Sequence, residues 1–84
     1  MKLSDLNKKQ ETLRKKFLKR GVKMIAPETI FFSKDTIIGK NVTIDPYVVI
    51  GEKVKIKNNV KIFSFSHLVN TSIDSNVTAV SYTH

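Results

Sequence analysis

Apolar residues recur at a step of six along the chain: Phe32, Ile38, Ile44, Ile50, Ile56, Ile62 and Leu68. Val42, Val48, Val54 and Val60 hold the same step in a second register. A helix repeats at about 3.6 residues and a strand at about 2, so neither explains the pattern. A sustained hexapeptide period predicts a solenoid in which each unit forms one side of a coil. Counted from Pro27, this makes about three coils. The regular pattern begins at Ile38, and Ile38-Gly39-Lys40-Asn41-Val42-Thr43 is the clearest unit; Phe32 to Ile37 fits the period only loosely, with Thr36 in place of valine.

Each position of the unit has a physical role. The first residue points into the coil and stacks on its equivalents, each buried Ile contributing roughly 1.5–3 kcal/mol. The fifth also points inward but has less room, which suits Val or Ser. The third and fourth form a corner. Asn41, Asn59 and Asn76 suit it because Asn tolerates left-handed φ. Pro46 is tolerated because a corner need not donate to a strand ladder. The sixth residue (Thr43, Val49, Lys55, Lys61, His67) points outward by strand alternation. The register slips once, since Ile73 follows Leu68 at a step of five. A one-residue deletion there tightens a corner. Ala79 to His84 is the weakest unit and no amphipathic cap follows it, so the expectation is a solenoid truncated at its C-terminus.

Ahead of the repeats, residues 4–20 read as one helix, with Ser4 or Asp5 as N-cap. Asn7 and Lys8 leave no capping box. Leu6, Leu13 and Phe17 form its apolar stripe, which Leu18 widens. Gly21 follows as a residue able to take positive φ. Val22 to Ile25 reads as a short strand that Pro27 closes, opening the repeats. The expected organisation is a basic linker helix over 1–21 and a hexapeptide solenoid over 22–84.

Charge follows this division. The chain carries +8, with 15 Lys and Arg against 7 Asp and Glu. Residues 1–24 hold nine of the cations against Asp5 and Glu11, so the basic character belongs to the helix. Without cysteine there is no disulfide framework or thiolate metal site. The chain shows no secretory signal and no run long enough to span a bilayer, which makes a cytoplasmic protein the default expectation.

The pattern [Ile/Leu/Val]-[Gly/Asp/Glu]-x-x-[Val/Ser]-x resembles the left-handed parallel β-helix of hexapeptide-repeat acyltransferases. Gly21-Val22-Lys23-Met24-Ile25-Ala26-Pro27-Glu28-Thr29, followed by Ile37-Ile38-Gly39-Lys40-Asn41-Val42-Thr43-Ile44-Asp45-Pro46, narrows the resemblance. It is similar to the linker helix and first β-helix coils of the bifunctional N-acetylglucosamine-1-phosphate uridyltransferase/glucosamine-1-phosphate acetyltransferase family. The resemblance implies a mainly β fold, a left-handed β-helix preceded by one α-helix, and a homotrimer assembled through the β-helix. It implies acetyl transfer from acetyl-CoA to glucosamine-1-phosphate. Uridylyl transfer from UTP to N-acetylglucosamine-1-phosphate, with Mg2+, then makes UDP-N-acetylglucosamine for the bacterial cell envelope.

The residues that would perform this chemistry do not carry over. Gly21, Gly39 and Gly51 are dispersed and make no phosphate-cradling loop. The nearest approach to the family's Arg-Leu-Arg-Pro-Gly acceptor motif is Phe65-Ser66-His67-Leu68-Val69-Asn70, where Val69 and Asn70 replace the arginine and proline. The resemblance places the general-base histidine beyond residue 84. No catalytic, cofactor-binding or metal residue is therefore assigned, and the chain is expected to supply scaffold and trimerisation surface. The alternative is a non-enzymatic β-solenoid module that binds nucleic acid or an anionic surface through its basic helix.

His67 invites a catalytic reading, but no acid or arginine stands at a matching repeat position, so it reads as an outward sixth residue. His84 reads as a frayed end. Zinc would need three histidines, and the chain has two. The basic helix reads as a solvated linker whose apolar stripe packs on a neighbouring domain, with no nucleic-acid partner expected. Phe63 and Phe65 read as outward or corner residues at a subunit or domain contact.

Overall fold

A computed structural model describes residues 3–80, with side chains from residue 8 to residue 77. The apolar assignment of Leu6 and the reading of His84 lie outside the described side chains. Helix α1 spans Leu3–Lys19. Ser4 and Asp5 therefore sit within it rather than at its N-cap; with no capping box, nothing in the sequence halts the helix there. The other end stops as expected. Gly21 has φ 93°, its N–H donates to Leu18 O at 3.1 Å, and Val22 N–H donates to Phe17 O at 3.0 Å. These paired bonds form a Schellman motif, and the buried Phe17 and Val22 supply its apolar contact.

Among the described residues ten short strands follow: β1 (Lys23–Met24), β2 (Ile30–Phe31), β3 (Ile37–Ile38), β4 (Thr43–Ile44), β5 (Val48–Ile50), β6 (Val54–Ile56), β7 (Lys61–Ile62), β8 (His67–Leu68), β9 (Thr71–Ile73) and β10 (Thr78–Val80). They form three sheets in the orders β1-β4-β7-β10, β2-β5-β8 and β3-β6-β9. Every described pairing is parallel. Each strand thus meets the third strand after it, the arrangement expected of a hexapeptide β-helix. Ile38 pairs with Ile56, Ile44 with Ile62 and Ile50 with Leu68. Like residues stack along the axis, and one core runs the length of the coil. All the first-position residues from Phe32 to Ile73 are buried, and so are Thr36, Val42, Val48, Val54, Val60 and Ser66 at the fifth position. Val77 is partly buried against them.

The first coil starts earlier than the repeat count suggested. β1 pairs with β4 through Met24 and Ile44, so the segment before Pro27 is already a rung of the solenoid. That pairing is two residues longer than the Ile44–Ile62 step. The 3-10 turn Pro27–Thr29 takes up the excess. The later slip lies where the spacing put it. Ile50 pairs with Leu68 but Val54 pairs with Thr71, so one corner residue is missing between Leu68 and Thr71. Asn70, at φ 47°, turns the shortened corner. In β10 the register shifts again, and Val80 rather than Ala79 stands opposite Ile62. An extra residue of this kind is what a bulge inserts.

Left-handed backbone is not confined to asparagine. Asn41, Tyr47, Lys53, Asn59 and Phe65 all occupy the fourth position with φ between 56° and 64°. Such a conformation costs roughly 1–2 kcal/mol for a residue with a Cβ. Hydrogen bonds between coils offset it: Asn59 N–H donates to Lys40 O at 2.9 Å and Phe65 N–H to Tyr47 O at 2.9 Å. Side chains reinforce one corner, where Asn41 Nδ2 donates to Asn59 Oδ1 at 2.8 Å and Asn59 Nδ2 to Asn76 Oδ1 at 3.2 Å. Beside this ladder Gly39 is required by close approach. A Cβ there would collide with Asn58 Oδ1 and lie 2.9 Å from the Lys57 carbonyl carbon.

Helix α1 closes the N-terminal end of the solenoid. The rings of Phe17 and Phe32 lie 4.7 Å apart. The Gln10 amide pairs with the Phe32 backbone in both directions, Nε2 donating to O at 2.9 Å and Oε1 accepting from N–H at 2.8 Å. Arg14 Nε donates to Ile30 O at 2.9 Å, and Arg14 Nη2 to Glu28 O at 3.2 Å. Side chains of the helix thus act as a preceding rung for β2, whose edge would otherwise be open. Leu13 and Phe17 of the apolar stripe pack on the chain's own solenoid, where contact with a neighbouring domain was expected, and Leu18 stays exposed. Periodicity could not show this, because Gln10 and Arg14 read as polar helix surface.

Three outcomes follow. Ile50→Asp places an unpaired charge in the core and should abolish cooperative unfolding, while Ile50→Ala should cost about 2–5 kcal/mol by denaturant titration. An unchanged melt for the aspartate variant would refute the register. Gln10→Ala strands the Phe32 N–H and C=O and should cost about 1–3 kcal/mol, read the same way. At a third corner, the Ser33 hydroxyl and then the Lys53 N–H, 3.0 Å from Oδ2, hold the Asp35 carboxyl below its ordinary range. Its folded pKa lies under the unfolded one. The contribution is therefore present above the ordinary carboxylate range and lost as pH falls through the folded value. Asp35→Asn should flatten that part of the acid limb in melts followed below about pH 5.

Candidate functional site

Strand alternation leaves one row of each sheet facing outward. On the β2-β5-β8 sheet this row is Phe31, Val49 and His67, joined by the pairings Phe31–Val49 and Val49–His67. Phe31 and Val49 are 40% and 42% exposed, large values for apolar side chains on a sheet. The corner preceding this sheet adds two aromatic rings. Tyr47 N–H donates to Thr29 Oγ1 at 2.9 Å. The Tyr47 and Phe65 rings stack one coil apart, with centroids 5.6 Å apart and planes within 5°. Phe65 is 74% exposed. Phe63 is exposed too and carries the Lys61 ammonium 5.3 Å from its ring centroid.

Phe63 and Phe65 therefore lie outward and at a corner, as their spacing implied. That Phe31 stands beside Val49 across the ladder and that Tyr47 stacks on Phe65 was not read from the sequence. A signal existed: Tyr47 and Phe65 hold the same repeat position one coil apart, as do Phe31 and Val49.

His67 is exposed in β8, the outward position its place in the hexapeptide implies. Its neighbour across the ladder is Val49, which offers nothing to orient or charge an imidazole. Among the described residues no group of three or more His, Cys, Asp or Glu could hold a metal ion. With the glycines dispersed over Gly21, Gly39 and Gly51, the described residues do not fit a UTP–Mg2+ site.

The second distinctive surface is the helix. With about 3.6 residues per turn, Lys8, Thr12, Lys15 and Lys19 line the side of α1 opposite the buried Phe17 and Gln10, and Lys16 flanks them. All five are exposed. Arg14, on the buried side, is already committed to backbone carbonyls and stacks 5.1 Å from the Phe31 ring centroid. The ion pair recorded among the described residues is Lys57–Asp74, at 3.3 Å, far along the solenoid.

A family model, the bacterial transferase hexapeptide (six repeats), matches residues 35–69. Over longer stretches the chain is similar to proteins described as bifunctional protein GlmU. Against that of Bradyrhizobium diazoefficiens it is 53% identical over 62 residues, which is 74% of this chain and 14% of the relative. Against that of Nitrobacter hamburgensis it is 56% identical over 63 residues, 75% and 14% respectively. Against that of Wolbachia pipientis wMel it is 52% identical over 67 residues, 80% and 16%. The chain thus spans only 14–16% of the length of these curated relatives. No solved structure matches it.

Proposed function

We propose that this hexapeptide-repeat chain, similar over most of its length to one segment of the GlmU proteins, supplies the scaffold and the assembly surface of an enzyme of that kind. The carrying observation is the outward face of the β2-β5-β8 sheet. Phe31 and Val49 project from it, and the stacked Tyr47 and Phe65 extend it around the corner. Parallel strands of equal pitch present this face along the axis of the coil. Copies related by rotation about a parallel axis bury it without disturbing either ladder, and a homotrimer closes the contact. Such an exposed apolar face on a thin solenoid is typical of an association surface.

The chemistry implied for the whole enzyme is acetyl transfer from acetyl-CoA to glucosamine-1-phosphate and uridylyl transfer from UTP to N-acetylglucosamine-1-phosphate. The part assigned to this segment is mechanical. It stacks the first coils, covers their starting edge with α1 and sets the spacing of the copies.

Sedimentation equilibrium tests the assignment. The chain is expected to sediment at three times its monomer mass, and the Val49→Lys/Phe65→Lys variant as a monomer with an unchanged circular dichroism spectrum. A monomeric parent chain would contradict the assembly role. Acetyl transfer to glucosamine-1-phosphate by this chain alone would contradict the scaffold role.

A further inference from the structure

The lysine face of α1 is the feature that scaffold and assembly leave unused. On the solenoid side of the helix Phe17 and Gln10 are buried and Leu13 packs against the core. Arg14 is spent on the carbonyls of Ile30 and Glu28. Lys8, Lys15 and Lys19 remain in line on the far side, and none of them is in an ion pair with Glu11 or any other described acid. Over residues 1–24 the cations exceed the acids by seven, whereas the repeats are nearly neutral. The row from Lys8 to Lys19 covers about 16 Å of a rigid helix that is anchored at its base by the Schellman turn and the Gln10 clamp.

Like charges held this way repel one another, and a polyanion relieves the repulsion. The chemistry of the face selects among polyanions. It carries no Trp, Tyr, Phe or Leu on its midline, and Leu18 lies to one side, so it lacks the apolar anchor with which a surface helix enters a bilayer. It carries no aromatic ring to stack an unpaired base. An interface with a folded protein would concentrate aromatic and Arg side chains and exclude Lys. What remains is a row of flexible point charges, suited to the backbone phosphates of a duplex. We infer that the Lys8–Lys15–Lys19 face of α1 binds the phosphodiester backbone of double-stranded nucleic acid without sequence preference. The neighbouring Lys16 and Arg20 add to the field.

Fluorescence anisotropy with a labelled mixed-sequence DNA duplex tests this on the full chain. About four phosphate contacts give a slope of log Kobs against log salt near −3.6, so binding should weaken roughly 10²-fold between about 50 and about 200 mM NaCl. Lys8→Gln/Lys15→Gln/Lys19→Gln should lower the slope by about 3, and circular dichroism should be unchanged because these side chains are exposed and in no ion pair among the described residues. Lys55→Gln/Lys61→Gln on the solenoid should bind as the parent does. No binding at about 50 mM salt, or equal losses in the two variants, would overturn the inference. So would binding as tight to phosphatidylserine vesicles or to polyglutamate, which would assign the face to a membrane or to an acidic protein instead.

Discussion

Stacking of inward side chains at equivalent repeat positions along a single axis is the constraint on which everything else depends. Ile38 lies over Ile56, Ile44 over Ile62 and Ile50 over Leu68, with Val42, Val48, Val54 and Val60 filling the second inward position. The core is only one coil wide, so no residue of it can be exchanged for a distant partner. Each strand is two or three residues long and has no stability of its own. The parallel ladder and the apolar column must form together, and adjacent coils hold each other in register. A residue lost in one coil therefore has to be lost at a corner, where no inward side chain is displaced. The deletion between Leu68 and Thr71 obeys this rule.

A column of this kind has an end, and the end carries the highest cost. The edge of β2 would present free N–H and C=O groups and an uncovered Phe32. Helix α1 removes both liabilities, with Phe17 against the ring and Gln10 and Arg14 on the backbone. Polar side chains thereby do the work of a strand. The basic helix and the neutral repeats, so different in composition, share one core. Because the helix is fixed by one side, its opposite side becomes a surface with defined geometry.

The outward positions are free of the stacking constraint, and they differ from side to side. One sheet shows Phe31 and Val49 next to the stacked Tyr47 and Phe65, while another corner is sealed by the Asn41–Asn59–Asn76 ladder. The first exposes apolar side chains, and the second pairs its polar ones with one another.

The hexapeptide step was legible in the sequence because it is one-dimensional. A residue six positions on occupies the same inward slot, so Ile and Val at that step disclose core, corner and outward positions together. The corner role of Asn41, Asn59 and Asn76, the outward place of His67 and the slip before Ile73 came from the same count. Contacts between residues of unrelated periodicity were decided only by the tertiary structure. Gln10 meets Phe32 across 22 residues of sequence, and neither residue type announces the other. Tyr47, Lys53 and Phe65 adopt left-handed backbone against their own preference, because the coil closes only if the fourth position turns that way. Local sequence sets which residues are buried in each coil; how the coils are capped and which outward faces become continuous depends on three-dimensional closure, which brings together what no spacing relates.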